Sequence, residues 1–159
     1  MKRREILTIF VMFVHTVLYA QNYDKINIVR VDSIPTNKGC ESHFTGNVRV
    51  NNKIPGGNPP NISGGIVNFE PGSRTVWHSH PKGQRVIIIQ GIGWVQQWGD
   101  KKIEVRTGDV VCIPPNVKHW HGATVTTGVS HYAFIEIESN NEHLVENMEP
   151  VTDVQYKGK

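Results

Sequence analysis

The chain has 159 residues and a formal net charge of +3 at pH 7. Domains usually run to roughly 100 to 150 residues, so this length holds one domain and one core and excludes a second catalytic domain. No cluster of Lys and Arg with interleaved aromatic residues follows the first few positions, which excludes nucleic acid as a partner.

Residues 1–20 have the layout of a secretory signal peptide. Three basic side chains in MKRRE precede the apolar run ILTIFVMFVHTVLYA, which ends at the small residue Ala20. A membrane anchor is the alternative, but a bilayer span needs about 20 apolar residues, and this run is shorter and contains His15. We expect cleavage near Ala20 and an exported protein, periplasmic or secreted, without membrane attachment. Its net charge would be +1, because the first 20 residues carry a net +2.

The rest of the chain predicts short strands. KINIVRV (25–31) and FTGNVRV (44–50) are predicted strands, with SIPTNKGCES (33–42) as a loop between them. Further apolar or alternating runs follow, separated by turn residues: SGGIVNFE, RTVWHSH, RVIIIQ, IGWVQQW, KKIEVR, DVVCIP and VSHYAFIEIE. This pattern predicts an all-β sandwich or barrel. In the tail, TDVQY with Thr152 as N-cap predicts one helical turn.

Two cysteines permit two interpretations. Cys40 and Cys112 could form a disulfide in an oxidising compartment. Cys112, however, lies in the apolar run VVCIP, which favours a buried and inert thiol.

Other polar and aromatic residues allow both a structural and a functional interpretation. Arg74 and Lys118 could bind a substrate carboxylate or could be solvated charges at strand ends. His43 and His143 lie in loop or tail sequence and are expected on the surface. The four tryptophans could line a cavity, although packing is the favoured interpretation: Trp77, Trp94, Trp98 and Trp120.

The stretch WHSHPKGQ (77–84) carries candidate metal ligands. Alternate residues of a strand face the same side, so His78 and His80 can hold one ion. Gln84 follows on the next strand, beyond the PKG turn. His119, in PPNVKHWHG, is the natural source of a fourth ligand.

The spacing of these residues resembles the two motifs of the cupin superfamily. PGSRTVWHSHPKGQRVIIIQG is similar to the first motif, with Gln84 in place of the usual Glu. GDVVCIPPNVKHWHGA is similar to the second, with Asn116 in place of the usual Gly. The resemblance implies a single-domain cupin, a double-stranded β-helix or jelly-roll barrel over 66–138. N-terminal strands and a loop would occupy 21–65, and a short C-terminal tail 139–159.

Within that superfamily the chain resembles the small single-domain cupins, including bacterial manganese-dependent hydroxynitrile lyases and cupins associated with carboxymuconolactone decarboxylase. The resemblance implies a ligand set of His78, His80, Gln84 and His119, and second-sphere histidines at His121 and His131. It also implies a homodimer or higher homo-oligomer, in which 25–31 could pair across subunits. Manganese is chosen from this resemblance alone, and Fe, Zn, Ni, Co and Cu remain open.

The neutral ligand at Gln84 indicates a mechanism. Three imidazoles and an amide leave the full charge on a divalent ion, which would then stabilise an anion as a Lewis acid. His121 and His131 are candidate proton-transfer groups, or alternatively residues that orient the ligands. We therefore expect a lyase acting on a small carbonyl or hydroxy compound, with a dioxygenase or a non-catalytic module for metal and small ligands as alternatives.

Overall fold

The computed structural model describes residues 28, 30, 35–54, 61–137 and 144–158. The expected signal peptide at 1–20 lies outside them, as does most of the strand expected at 25–31. Twelve strands and one helix occupy the described part: β1 (Thr36–Lys38), β2 (Phe44–Thr45), β3 (Val48–Ile54), β4 (Ile62–Phe69), β5 (Arg74–Thr75), β6 (His78–Ser79), β7 (Gln84–Gln97), β8 (Ile103–Arg106), β9 (Val110–Ile113), β10 (His119–Ala123), β11 (Val129–Glu136), β12 (Glu146–Asn147) and α1 (Asp153–Lys157). No helix in these ranges is long and apolar enough to cross a bilayer.

The strands form two antiparallel sheets that share β7. Sheet I has the order β1-β3-β4-β11-β7-β9. In sheet II, β10 pairs with the second half of β7 on one side and with β5 and β6 on the other, and β8, β2 and β12 lie at the margins. Gly91, with φ of 84°, marks the point where β7 leaves sheet I. The shared strand curls the sheets into a barrel, which confirms the all-β prediction.

Side-chain alternation places an apolar core inside this barrel. On β7, Val86 and Ile88 are buried while Arg85 and Ile87 between them are exposed. Burying one such aliphatic or aromatic side chain contributes roughly 1.5 to 3 kcal/mol. The core comprises Val48, Val67, Phe69, Val86, Ile88, Val95, Val105, Ile113, Ala123 and Val129.

Several strand boundaries differ from the sequence predictions. The predicted strand at 44–50 is two strands, because Gly46 turns the chain with φ of 88°. The predicted loop at 33–42 contains β1, which pairs with β3. RVIIIQ and IGWVQQW are parts of one strand of 14 residues, whereas RTVWHSH divides into β5 and β6. These differences arise where long-range pairing, rather than local sequence, decides the conformation.

The prediction of a buried, inert Cys112 is wrong. On β9, Val111 and Ile113 face the core, so the alternation of the strand turns Cys112 outward. Cys112 and Cys40 are both exposed and both free. The alternative of a disulfide between them is therefore not what the structure shows.

Residues 144–158, here named the C-terminal strap, first add β12 to the margin of sheet II and then pack against Trp77 and Trp120. The strap pairs with β6 through Glu146↔Ser79 and ends in α1, whose N-cap is Thr152 with a complete capping box. This confirms the predicted helical turn. The strap and the sheet share a second apolar cluster, consisting of Trp77, Trp120, Val151 and Tyr156 with Trp94 and Met148 packed against it.

Candidate metal centre

Strands β6, β7 and β10 bring the four predicted ligands together inside the barrel. His78 on β6 is the register partner of His119, which begins β10. His80 follows two residues after His78, and Gln84 begins β7 immediately after Gly83, which turns the chain with φ of 76°. None of the four side chains is more than 6% exposed.

The three imidazoles of this group converge on one point. One ring nitrogen each from His78, His80 and His119 lies within 4.8 Å of the others. Gln84 Oε1 lies 3.2 Å from His119 Nε2. Donors that share a first-row divalent ion lie about 2.1 Å from it, so nitrogens within 4.8 Å of one another could hold one ion after small side-chain movements.

Backbone carbonyls determine which nitrogen of each imidazole faces the centre. Each Nδ1 lies within hydrogen-bond distance of a carbonyl oxygen: His78 of Val76 (3.0 Å), His80 of Leu144 (2.6 Å) and His119 of Val117 (2.8 Å). A carbonyl oxygen only accepts, so each Nδ1 donates, and a neutral ring then keeps its lone pair on Nε2. This arrangement is common among metal-binding histidines.

Burial keeps these imidazoles neutral. Desolvation lowers the pKa of His119 to about 4 and the pKa of His78 well below its ordinary value, with repulsion from His119 adding to the shift of His78. Desolvation also lowers the pKa of His80. At neutral pH the cluster therefore offers lone pairs and no positive charge of its own.

Two features of the cluster test whether it fits a cation. The unprotonated Nε2 of His119 and Gln84 Oε1 are both acceptors, and their contact at 3.2 Å is repulsive unless a positive charge lies between them. Nε2 of His80 is buried and has no hydrogen-bond partner among the described residues. A divalent ion would satisfy both, so the residues fit the metal that the sequence predicts.

His121 and His131 form a second pair deeper in the barrel. Nδ1 of His121 lies 3.1 Å from Nε2 of His131, and both rings pack against Phe69. Nε2 of His121 and Nδ1 of His131 have no partner within the described part of the chain. Desolvation lowers the pKa of His131 to about 4 and the pKa of His121 well below its ordinary value. Neutral imidazoles with a free lone pair can accept a proton.

A cavity of about 330 Å³ connects the cluster with the surface. His78, His80, Gln84 and His121 line its inner end. Most of its remaining wall is apolar, with Phe44, Val50, Val67, Ala133, Ile135, Leu144 and Val145. A small molecule with an apolar body and one polar group would match the shape and polarity of this cavity.

Two contributors to the site were not found from the sequence. Thr75 on β5 lines the cavity, and its Oγ1 accepts a hydrogen bond from the backbone N–H of His121. Leu144 supplies the carbonyl beside His80 Nδ1. A backbone carbonyl has no signature in the sequence, and Thr75 stands next to the motif histidines as an ordinary strand residue.

Arg74 and Lys118 do not line the cavity. Arg74 is 5% exposed and donates to the carbonyl of Val151 and to Asp153, so it is neither a substrate ligand nor a solvated charge. Lys118 pairs with Glu149 and lies 3.6 Å above the Trp98 ring. Both cations fasten the C-terminal strap instead.

The remaining predicted surface and aromatic residues have clear positions. His43 is exposed, as expected, and lies at the mouth of the cavity, whereas His143 is outside the described residues. None of the four tryptophans lines this cavity. Their ring contacts are with one another and with Tyr156, which supports the packing interpretation.

The sequence is similar to that of a protein named as a lyase. It is 43% identical over 132 residues to an (R)-mandelonitrile lyase of Granulicella tundricola, an alignment that covers 83% of this chain and 99% of the relative.

Solved structures show the same architecture. A cupin-like protein of Thermotoga maritima matches with a TM-score of 0.70 and 38% identity over 76% of this chain and 90% of its own. A cupin-2 domain protein of Rhodospirillum rubrum matches with a TM-score of 0.62 over 83% of this chain and 84% of its own; at 17% identity it supports the fold alone. The sequence model of the cupin domain matches residues 65–133. The chain belongs to the cupin superfamily.

Proposed function

We propose that this protein is an exported, metal-dependent lyase that cleaves a cyanohydrin into an aldehyde and hydrogen cyanide. The observation that carries the proposal is the neutral donor set of three imidazoles and the Gln84 amide beside the His121–His131 pair. The 43% identity to an (R)-mandelonitrile lyase supports the choice of reaction. The apolar cavity supports a substrate with an aromatic or aliphatic body.

We assign His78, His80, Gln84 and His119 as the metal ligands. A divalent ion held by them would act as a Lewis acid, with no carboxylate ligand to cancel part of its charge. Manganese is proposed from the resemblance, while the donor set itself suits several divalent metals. The Nδ1 hydrogen bonds described above hold each ring so that Nε2 faces the ligand position.

His121 and His131 are proposed as the groups that move the proton. His121 lines the cavity and accepts the hydroxyl proton of the cyanohydrin, and the hydrogen bond to His131 orients its ring. The electron pair of the broken O–H bond becomes the second bond of the carbonyl. Cyanide leaves with the electron pair of the broken carbon–carbon bond and takes the proton from the imidazolium. The low pKa of the pair suits this return, because its protonated form releases the proton readily.

Three further features belong to the same proposal. The signal-like segment at 1–20 supports export, and the mature chain would carry no membrane attachment. The partner is a small molecule rather than nucleic acid, since no cluster of Lys and Arg with interleaved aromatic residues follows the signal-like segment. A homodimer or higher homo-oligomer is proposed from the resemblance alone.

Metal analysis and a cleavage assay test the function together. The purified protein is expected to carry about one divalent ion per chain and to cleave mandelonitrile without consuming oxygen, and a chelator should abolish the cleavage. Oxygen consumption with iron would instead indicate the dioxygenase alternative. Metal binding without turnover would indicate a non-catalytic module.

Substitution of the histidine pair tests the proton transfer. The double variant His121→Ala, His131→Ala is expected to retain metal and to lose cleavage by about 100-fold or more, the usual contribution of acid–base catalysis. Val154→Ala, on an exposed face of α1, is the control and should match wild type. Full activity in the double variant would remove both histidines from the proton-transfer role.

A further inference from the structure

One of the three proposed histidine ligands depends on a distant part of the chain. Val76 and Val117 lie two residues before the histidines they contact, so those two hydrogen bonds depend only on the local conformation of the chain. His80 Nδ1 instead donates to the carbonyl of Leu144, 64 residues away in sequence, at 2.6 Å. The orientation of His80 is therefore set by the C-terminal strap.

The strap is fastened directly beside this histidine. β12 pairs with β6 through Glu146↔Ser79 and Asn147↔His78, and Ser79 directly precedes His80 in the chain. Backbone hydrogen bonds extend the pairing, since Met148 donates to the Trp77 carbonyl at 2.8 Å and Trp77 donates to the Glu149 carbonyl at 3.0 Å. A shift of the strap along β6 would move the Leu144 carbonyl away from the imidazole.

Contacts at the far end of the strap hold it in place. The Tyr156 hydroxyl is buried and donates to the carbonyl of Ala123 at 2.8 Å. Ala123 ends β10, the strand that also carries His119. Arg74 is buried under α1, donates to the Val151 carbonyl and lies 4.4 Å from the centre of the Tyr156 ring. The strap thus joins β6, which carries His78 and directly precedes His80, to β10, which carries His119.

We infer that the C-terminal strap is a positioning element of the metal site, and that Tyr156 and Met148 control metal affinity through the Leu144 carbonyl and His80. The inference rests on the proposed metal ligands. The strap also supplies Leu144, Val145 and Asn147 to the cavity wall, so the element that orients His80 also limits the space beside it. Neither Tyr156 nor Met148 lines that cavity, and their effect on the site passes through the strap.

Two variants of the full chain loosen the strap to different extents. Met148→Pro removes the donor to Trp77 and breaks the pairing with β6. Tyr156→Phe removes only the bond to Ala123 and keeps the aromatic ring. Val154→Ala is the matched control, because Val154 lies on the same helix and is 67% exposed.

Histidine tautomers in the metal-free protein give a readout that does not depend on activity. Long-range proton–nitrogen correlation NMR at neutral pH should show Nδ1–H for His78, His80 and His119 in the wild type. In Met148→Pro we expect the His80 signal to change to the other tautomer or to an average, while His78 and His119 keep theirs because their partners are local. Val154→Ala should reproduce the wild-type pattern.

Manganese affinity is the second readout, measured from the electron paramagnetic resonance amplitude of free Mn²⁺ during titration. We expect binding about 10- to 100-fold weaker in Met148→Pro and about threefold weaker in Tyr156→Phe, the first being the usual loss when a partner of a metal-binding histidine is removed. Wild-type affinity and wild-type tautomers in both folded variants would overturn the inference. If Met148→Pro does not fold, Tyr156→Phe decides alone.

The same measurements separate this inference from the proposed function. A wild-type protein that binds no Mn²⁺ or other divalent metal would contradict the proposed metal ligands. The tautomer of His80 would still report whether the strap orients its ring. A wild type that binds Mn²⁺ beside variants that bind it equally well would contradict the positioning role and leave the metal site standing.

Discussion

Gln84 is the residue that most distinguishes the chemistry of this centre. It is buried at the start of β7 and presents its amide oxygen 3.2 Å from His119 Nε2. A carboxylate in the same place would bring a negative charge to any cation bound there. An amide ligand would therefore bind a divalent ion less strongly than a carboxylate and would leave the ion better able to stabilise an anion.

Gln84→Glu separates these two effects. We expect tighter Mn²⁺ binding, because opposite charges attract strongly in a buried site, and cleavage of mandelonitrile slower by about tenfold or more. Affinity and kcat are measured on the same preparation. Gln90→Glu is the control, since it makes the same change at an exposed position of β7. An unchanged kcat in Gln84→Glu would show that the neutral ligand is not what sets the rate.

Asn116 departs from the usual motif, and its backbone conformation explains why this residue is tolerated there. It stands where the second cupin motif usually has glycine, and its φ of 61° lies in the left-handed region. Asparagine tolerates this region better than other residues with a Cβ. Its backbone N–H donates to the His80 carbonyl at 2.9 Å, so the turn also supports the strand that carries a proposed ligand.

We expect Asn116→Ala to lower the free energy of unfolding by about 1 kcal/mol, because alanine pays the steric cost of the left-handed region. Asn116→Gly should cost less, since glycine adopts this conformation freely. Urea denaturation of the metal-free protein measures both. The prediction fails if alanine is tolerated as well as glycine.

At the scale of the elements, β10 shows why part of the fold could not be predicted. HWHGA has no β-branched residue and carries polar histidines at alternate positions, yet all five residues are buried. His119 and His121 face the barrel interior, and Trp120 faces the cluster under the C-terminal strap. Burial on both faces is a consequence of the strap, which local sequence does not reveal. The prediction of Cys112 as buried failed for a related reason, because an apolar run does not say which alternate residues face the core.

The candidate site was more predictable than the strands that hold it. The spacing of His78, His80 and Gln84 around a turn, and of His119 after a second turn, is a local pattern that survives any error in strand boundaries. The hydrogen bond between His80 and Leu144 spans 64 residues and ends on a backbone atom, so no pattern of side chains records it.

Gly122 holds β10 close to β5. A Cβ at this position would lie 2.5 Å from the Ser73 carbonyl oxygen and 2.6 Å from the Arg74 Cα, both backbone atoms. We expect Gly122→Ala to lower the free energy of unfolding by about 1 to 3 kcal/mol, the usual cost of overpacking. Because His121 is the preceding residue, the variant should also reduce cleavage.

Gly108→Ala, in the turn between β8 and β9, is the control variant for Gly122→Ala. Its added methyl group meets open space, but its φ of 99° disfavours alanine. The variant should therefore lose stability and keep both metal affinity and kcat. Chemical denaturation and the mandelonitrile assay distinguish the two variants. Equal activity in both would show that the spacing of β5 and β10 does not affect the histidine pair.

For the whole molecule, the neutral histidines inside the barrel link stability to pH. Desolvation lowers the pKa of His119 and of His131 to about 4 in the folded protein, and the ordinary value is about 6.5. Between these values the unfolded chain binds more protons than the folded one, so the free energy of unfolding rises with pH. The contribution of the two neutral histidines to the free energy of unfolding is fully present above about pH 6.5 and is lost as the pH falls toward 4.

We therefore expect the melting temperature of the metal-free protein to fall by at least about 5 °C between pH 7 and pH 5, as two such histidines would cost several kcal/mol over that range. Excess Mn²⁺ should raise the melting temperature at pH 7, and this gain should shrink at pH 5 because protons compete for the ligand nitrogens. Calorimetry with and without chelator measures both effects. His131→Gln should flatten the pH dependence, whereas Val154→Ala, on the exposed face of α1, should not. A melting temperature independent of pH in this window would mean that the buried histidines are solvated in the folded protein, and the barrel would then lack the low-polarity interior that the proposed chemistry requires.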